Sequence, residues 1–111
     1  MNNLQDFVFF SNATTTGNSN ILYNTNYGSQ IILEVQGTAA TIQIDVFGIV
    51  DMNNSSDWST LSAIKASTYT IVSQISESGI YIIPVDGVSK IYISIAAVSG
   101  GNVNVFGKLG E

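Results

Sequence analysis

The chain has 111 residues, a formal net charge of −5, three basic residues that are all lysine, and neither cysteine nor histidine. Its length predicts one domain, and its hydrophobic content of 45% excludes intrinsic disorder, which combines low hydrophobicity with high charge. The acidic balance argues against binding to nucleic acid or to an anionic membrane surface, because both need clustered basic residues.

The N-terminal segment is rich in phenylalanine and can be interpreted in two ways. In a strand, Phe7 and Phe9 would share one face and Val8 and Phe10 the other, so both faces are apolar. Such a strand is either internal to a sheet or covered by a partner chain. We therefore predict that residues 1–11 form an N-terminal strand or a docking arm, with Phe7, Phe9 and Phe10 as partner-binding residues.

Two segments in the first half alternate apolar and polar residues with the period of two that half-buried strands show. They cover residues 30–36 and 41–47, and Gly37-Thr38 lies between them as a turn. Strand, turn and strand in this order predict a β-hairpin. The side chains predicted to face the core are Ile31, Leu33, Val35, Ile42, Ile44 and Val46.

The last third of the chain indicates three more strands. Asp86-Gly87 and Gly100-Gly101 supply the positive-φ positions that tight connections between strands require. We predict an antiparallel three-stranded meander, whose apolar face must be covered by the upstream chain. The strands are predicted at 80–85, at 90–98 with Ile91, Ile93 and Ile95 on one face, and at 102–106.

Short strands separated by turn sequences at intervals of about ten residues are typical of a sandwich or a small barrel. No segment of the sequence has a sustained helical periodicity. We therefore predict an all-β fold. It is an antiparallel β-sandwich, jelly-roll or immunoglobulin-like, of about seven to nine short strands, and it occupies residues 12–111 as one domain.

Four oxygen-bearing side chains at alternate positions suggest a calcium loop. Asp51, Asn53, Ser55 and Asp57 have the spacing with which an EF-hand loop begins, and a hard cation prefers such oxygen ligands. The sixth and twelfth positions of the motif are serines here, where an EF-hand has glycine and glutamate. The alternative is a solvated loop with Asx turns.

The aromatic residues allow a carbohydrate site. Trp58, Tyr23 and Tyr27 could stack on the apolar faces of pyranose rings while neighbouring Asn and Asp side chains bind the hydroxyls. The alternative is that Trp58 is a core residue, in a loop or an edge strand, and that the tyrosines are half-buried on strands.

The sequence predicts no catalytic residue and no cofactor. The commonest general base and the commonest metal ligand are both histidine, which the chain lacks. A catalytic site would have to consist of carboxylates alone, and most of these fall at turns or on polar strand faces. We therefore expect that the protein is not an enzyme. The carboxylates concerned are Glu34, Asp45, Asp51, Asp57, Glu77 and Asp86.

Packing and turn motifs in the C-terminal half carry a resemblance to a known class. They are Trp58-x-x-Leu61, Ile75 followed by Gly79-Ile80-Tyr81, the stretch 86–91 (DGVSKI) and the stretch 98–103 (VSGGNV). In these motifs the chain resembles small all-β virion proteins of tailed bacteriophages, a class that includes capsid decoration proteins, head fibres and tail-associated sandwiches.

The resemblance implies a structural protein of the bacteriophage virion and supplies no catalytic residues. The expected role is a capsid decoration or accessory protein that binds the major capsid protein, another virion protein or its own copies as a homo-oligomer. The start of the sequence has no basic segment before a long apolar run, so we expect assembly in the bacterial cytoplasm and location in the virion. The alternative is a carbohydrate- or receptor-binding module of a phage tail or baseplate.

Overall fold

A computed structural model describes residues 5–25, 28–53 and 56–110. These ranges contain β-strands and connecting segments, and no helix long and apolar enough to cross a membrane occurs in them. The strands are β1 (Gln5–Ala13), β2 (Gly17–Asn18), β3 (Leu22–Tyr23), β4 (Gln30–Gly37), β5 (Thr41–Ile49), β6 (Ser59–Leu61), β7 (Ala63–Lys65), β8 (Thr70–Val72), β9 (Gly79–Pro84), β10 (Lys90–Ser99) and β11 (Val103–Gly110).

The strands form two antiparallel sheets that pack face to face. The first sheet has six strands in the order β1-β11-β4-β9-β7-β8. The second sheet has the order β2-β10-β5-β6, and β3 also pairs with β10. The prediction of an all-β antiparallel sandwich is therefore confirmed, with more strands than expected because several have only two or three residues.

The core lies between the sheets and is built by the alternation of the strands. Side chains at every second position of the long strands are buried, and the intervening positions face outward. The predicted inward faces of β4, β5 and β10 are all confirmed. The buried residues on these three strands are Ile31, Leu33, Val35, Ile42, Ile44, Val46, Ile91, Ile93 and Ile95.

The predicted hairpin of β4 and β5 is wrong, because these two strands lie in different sheets. β4 pairs with β11 and β9, whereas β5 pairs with β10 and β6. The predicted meander is divided in the same way, since β9 and β11 belong to the first sheet and β10 to the second. Each glycine-containing turn therefore carries the chain from one sheet to the other. Such a turn keeps the apolar faces inward as a hairpin does, so the pattern of residues is the same.

Two of these crossings contact each other at one end of the sandwich. The backbone amides of Thr38 and Ala39 donate to the Asn102 carbonyl at 3.0 and 2.9 Å, and the Ala40 amide donates to the Ser99 carbonyl at 2.9 Å. The Thr38 hydroxyl accepts a hydrogen bond from the Asn102 amide at 3.2 Å. The β4–β5 and β10–β11 connections are thus hydrogen-bonded to each other and hold the two sheets together.

Residues 5–13 lie in the first sheet as edge strand β1 and do not project as an arm. Register shifts on both sides of Phe10 place it opposite Val105, whose side chain is buried. Phe7, Phe9 and Phe10 are all half-buried and pack against the core. Val8 instead is 65% exposed on the outer face. A partner-binding role for the three phenylalanines stays a prediction, and only part of each ring is available for it.

Ionisation of the Tyr81 hydroxyl should destabilise the fold at alkaline pH. The side chain is buried in the core, and its hydroxyl donates to the Glu77 carbonyl at 2.8 Å. Burial raises the pKa of Tyr81 above its usual value of 10.0. The folded-state pKa of Tyr81 exceeds the unfolded-state pKa. The stability that the neutral Tyr81 side chain contributes is therefore fully present below about pH 10 and is lost as pH rises through the raised pKa.

We expect Tyr81→Phe to remove this alkaline loss and to cost about 1 kcal/mol at neutral pH through the missing hydrogen bond. Urea unfolding at neutral pH and above the usual tyrosine pKa measures both effects. Tyr69→Phe is the control, because the Tyr69 side chain is 75% exposed. An equal alkaline slope in the wild type and Tyr81→Phe would contradict the assignment.

Candidate functional site

The outer face of the first sheet carries a row of isoleucines. Ile32, Ile82, Ile64 and Ile71 are aligned by strand register across β4, β9, β7 and β8. Ile71, on the last of these strands, is 73% exposed. Four apolar side chains in one register row give a continuous apolar strip on the solvent side of the sheet.

A second row extends this strip toward the N-terminal strand. Val8 lies opposite Phe106, Phe106 opposite Glu34, and Glu34 opposite Ile80. Val8 is 65% exposed and Ile80 47% exposed. We call the combined surface the isoleucine face. It consists of Val8, Ile32, Ile64, Ile71, Ile80, Ile82 and Phe106.

Few charged groups border the isoleucine face. At the β1 end, the Lys108 ammonium donates to the Asp6 carboxylate at 2.7 Å, so these charges are paired. Glu34 lies between the apolar residues of the second row. A shallow depression of about 330 Å³ is present here, lined by Asp6, Phe7, Val8, Ile32, Glu34, Ile80, Phe106, Gly107 and Lys108.

The isoleucine face was not predicted from the sequence, although a signal for it was present. Ile32 and Ile80 occupy outward positions on strands whose inward positions are already apolar. A half-buried strand should be polar at such positions, so an apolar residue there indicates a covered or binding surface.

The outer face of the second sheet carries an aromatic cluster. The rings of Phe47 and Tyr92 stack with centroids 5.0 Å apart and an interplanar angle of 20°. Trp58 meets Tyr92 edge to face, with centroids 4.8 Å apart and an angle of 83°. The Lys90 ammonium lies 5.7 Å from the centre of the Trp58 ring. We call Phe47, Trp58 and Tyr92 the aromatic ridge; all three are half-buried.

The interpretation of Trp58 as a core residue is wrong. Trp58 precedes β6 and packs on the solvent side of the second sheet, against Tyr92 and Lys90. Tyr23 lies on the same outer face, because it is the register partner of Lys90, and it is 52% exposed. Two of the three predicted carbohydrate-binding residues therefore flank one lysine. The third, Tyr27, lies outside the described residues.

The proposed calcium ligands fall in the loop between β5 and β6. The Asp51 carboxylate accepts a hydrogen bond from the Asn53 amide at 3.0 Å, which is an Asx turn. Asp57 is exposed, and Ser55 lies outside the described residues. No group of three or more acidic side chains in the described ranges is arranged to hold a metal ion. The metal site stays a prediction without support from this geometry.

At the end of the sandwich opposite the β4–β5 and β10–β11 connections, the loops surround a cavity of about 480 Å³. The buried Asn24 side chain organises these loops, since it donates to the Gly28 and Val88 carbonyls at 2.9 and 3.0 Å. Asp86 is the one carboxylate among the residues described around the cavity, so no acid–base pair is formed there. The lining residues are Asn24, Thr25, Met52, Asp86, Gly87, Val88 and Ser89.

The described residues thus define a β-sandwich with two outer faces that offer candidate binding surfaces. The XepA family model matches residues 3–109, so the chain belongs to the XepA family. No curated protein is significantly similar to the chain in sequence.

Two solved structures share the fold over the whole chain. YomS, a protein derived from the SPBc2 prophage, has a TM-score of 0.87 at 17% identity and matches 100% of this chain and 96% of its own. XepA, an exported protein of PBSX, has a TM-score of 0.89 at 22% identity and matches 99% of this chain. The chain spans 38% of the length of XepA. The family and these neighbours connect the chain with phage-derived proteins, as the sequence resemblance implied.

Proposed function

We propose that the protein is a structural protein of a bacteriophage, without catalytic activity, that docks on another virion protein through the isoleucine face. The partner we propose is the major capsid protein, which makes the chain a capsid decoration or accessory protein located in the virion. The exposure of Ile71, Val8 and Ile80 on one continuous surface is the observation that carries this proposal. Monomeric soluble proteins rarely expose a large contiguous apolar patch, and a large patch with a polar border marks an interaction site.

The charges of the isoleucine face fit a protein partner better than nucleic acid or an anionic membrane. Lys108 is neutralised by Asp6, and Glu34 is acidic. Phosphate-bearing partners require unpaired basic groups, which this surface does not present. A largely apolar patch with a polar border is the arrangement found at protein–protein interfaces.

Membership of the XepA family supports an association with phage but leaves the partner open. YomS is described as prophage-derived and XepA as an exported protein of PBSX. The second description offers a location outside the producing cell as an alternative to the virion. Association with its own copies through the same face, as a homo-oligomer, is the other arrangement that would cover the apolar residues.

The proposal predicts that Ile71→Asp and Ile80→Asp each weaken binding to purified phage heads at least tenfold, because a buried charge opposes apolar contact. Co-sedimentation with purified heads and with purified tails measures binding, and analytical ultracentrifugation measures self-association. Val50→Asp is the control, since Val50 is 68% exposed outside the isoleucine face. Unchanged head binding and unchanged oligomeric state in both isoleucine variants would refute the proposal.

A second candidate function is supported by the aromatic ridge. Trp58 and Tyr23 lie on one outer face beside Lys90, where a saccharide could reach both. In this function the protein is a carbohydrate- or receptor-binding module of a phage tail or baseplate. The two candidates use opposite faces of the sandwich, so a variant in one face leaves the other intact.

A further inference from the structure

A row of polar side chains lies beside the aromatic ridge on the second sheet. Phe47 and Tyr92 are register partners on β5 and β10, and the next outward pair along the same strands is Asp45 with Ser94. On the neighbouring strand β2, Asn18 is the register partner of Ser94. The outer face of this sheet therefore has an aromatic row and, next to it, a row formed by Asp45, Ser94 and Asn18.

The spacing of these two rows matches the size of a sugar ring. Outward residues on one strand are two positions apart, which corresponds to about 7 Å along the strand. A pyranose ring lying against Tyr92 would therefore place its hydroxyls within reach of Asp45 and Ser94. Its apolar C–H groups would contact the accessible parts of the aromatic ridge, as apolar surfaces contact aromatic rings elsewhere.

The polar row has the hydrogen-bonding groups that hydroxyl recognition needs. The Asp45 carboxylate already accepts a hydrogen bond from the Gln74 amide at 3.0 Å, which fixes its orientation. The Ser94 hydroxyl can donate and accept, and the exposed Asn18 amide can do both. A carboxylate held by a neighbour is a pre-oriented acceptor for a sugar hydroxyl or for the N–H of an amino sugar.

The charge on this face restricts the kind of saccharide. Asp45 is the carboxylate of the polar row, and the lysine on the strands of this sheet, Lys90, is only 6% exposed, with its ammonium over the Trp58 ring. An acidic saccharide would bring its charges to Asp45 with little accessible positive charge to offset the repulsion. The face therefore favours neutral saccharides, including N-acetylated ones, over polyanionic ones.

We infer that the aromatic ridge and the row of Asp45, Ser94 and Asn18 form one binding site for a neutral pyranose-containing saccharide. This inference rests on the second candidate function and adds to it the residues and the ligand class. In the site, the exposed parts of the Tyr92 and Trp58 rings contact the apolar C–H groups of the sugar, and the polar row binds its hydroxyls.

The test uses the single tryptophan of the chain as a reporter. Chitohexaose, cellohexaose and hexagalacturonate are titrated while Trp58 fluorescence is recorded, and saturation-transfer NMR gives a readout that does not depend on tryptophan. The variants are Tyr92→Leu, which removes the stacking ring but keeps an apolar side chain, and Asp45→Ala. Ile80→Ser, on the opposite sheet, is the matched control, and circular dichroism confirms that each variant is folded.

We expect saturable binding of at least one neutral hexasaccharide, no binding of hexagalacturonate, and affinity reduced about tenfold or more in both site variants but not in Ile80→Ser. Equal binding of hexagalacturonate would overturn the ligand class while leaving the second candidate function intact. Neutral binding that survives both site variants would overturn the site. If no saccharide binds by either readout, the inference and the carbohydrate-binding form of the second candidate function both fail, and the capsid proposal is unaffected.

Discussion

Gly101→Ala should lower the free energy of unfolding by about 3–5 kcal/mol, a large part of the total stability of a domain of this size. Gly101 has a φ of +149° in the β10–β11 crossing. A methyl group at this position would lie 2.6 Å from the carbonyl carbon of Thr38 and 2.7 Å from the Ala39 amide nitrogen. Both atoms belong to the backbone of the other crossing, so relief requires the two crossings to separate.

Gly87→Ala is the matched control for Gly101→Ala. Gly87 also has a positive φ, of +83°, but an added methyl group there would meet no atom within 4 Å. Gly87→Ala should therefore lower the free energy of unfolding only through the strain of the positive φ, by about 1 kcal/mol. Urea unfolding followed by circular dichroism gives both values. Similar losses in the two variants would show that contact between the crossings contributes little.

Asn24→Ala should lower the free energy of unfolding by about 3 kcal/mol, because the substitution leaves buried backbone groups without their side-chain partners. The Asn24 amide donates to the Gly28, Val85 and Val88 carbonyls, and its oxygen accepts from the Gly28 amide at 2.8 Å. The side chain is only 7% exposed, so water cannot readily replace these bonds. Loss of this residue should loosen the loops on both sides of the 480 Å³ cavity.

Asn24→Asp should lower the free energy of unfolding more than Asn24→Ala at neutral pH, by about 4 kcal/mol. In acid, the stability of this variant should recover. The substituted carboxylate would face three carbonyl oxygens, which raises its pKa above that of an exposed aspartate. A raised folded-state pKa means that stability is greatest below the unfolded pKa and is lost as pH rises through the folded one. The difference from the wild type should therefore shrink as pH falls from about 7 to about 4.

Asn20→Asp is the control for charge, because Asn20 is exposed and the substitution adds the same carboxylate. Urea unfolding of wild type and both variants at several pH values isolates the effect of position 24. A pH-independent difference for Asn24→Asp would indicate that the carboxylate turns out to solvent and that the loops rearrange around it.

The sequence was sufficient to predict the long strands and the inward faces of β4, β5 and β10, because alternation is a local property. Ile31, Leu33 and Ile93 are buried as predicted. Sheet membership was not predictable in this way. The Gly37 and Gly100-Gly101 turns have the residues of hairpin turns, yet each connects two sheets. Which partner a strand selects depends on residues far away in the chain, and no local pattern records that choice.

The two outer faces show the same limit. Trp58 was assigned a core or carbohydrate-binding position from its residue type, and only its contact with Tyr92 places it on the second sheet. The isoleucine row arises from the register of four strands that are distant in the sequence. A row of this kind exists only after the strands have paired, so it could not be found by reading any one segment.

The pairing of distant strands has a consequence for how the chain reaches its native state. Among the described strands, neighbours in sequence pair only as β5 with β6 and as β7 with β8, while β1 pairs with β11 and places Gln5 opposite Leu109. High contact order of this kind is associated with folding times of roughly milliseconds to seconds. On the ribosome, β4 lacks one of its two neighbours and β1 its only one among the described strands until Val103–Gly110 has emerged, so the first sheet is completed after translation of that strand.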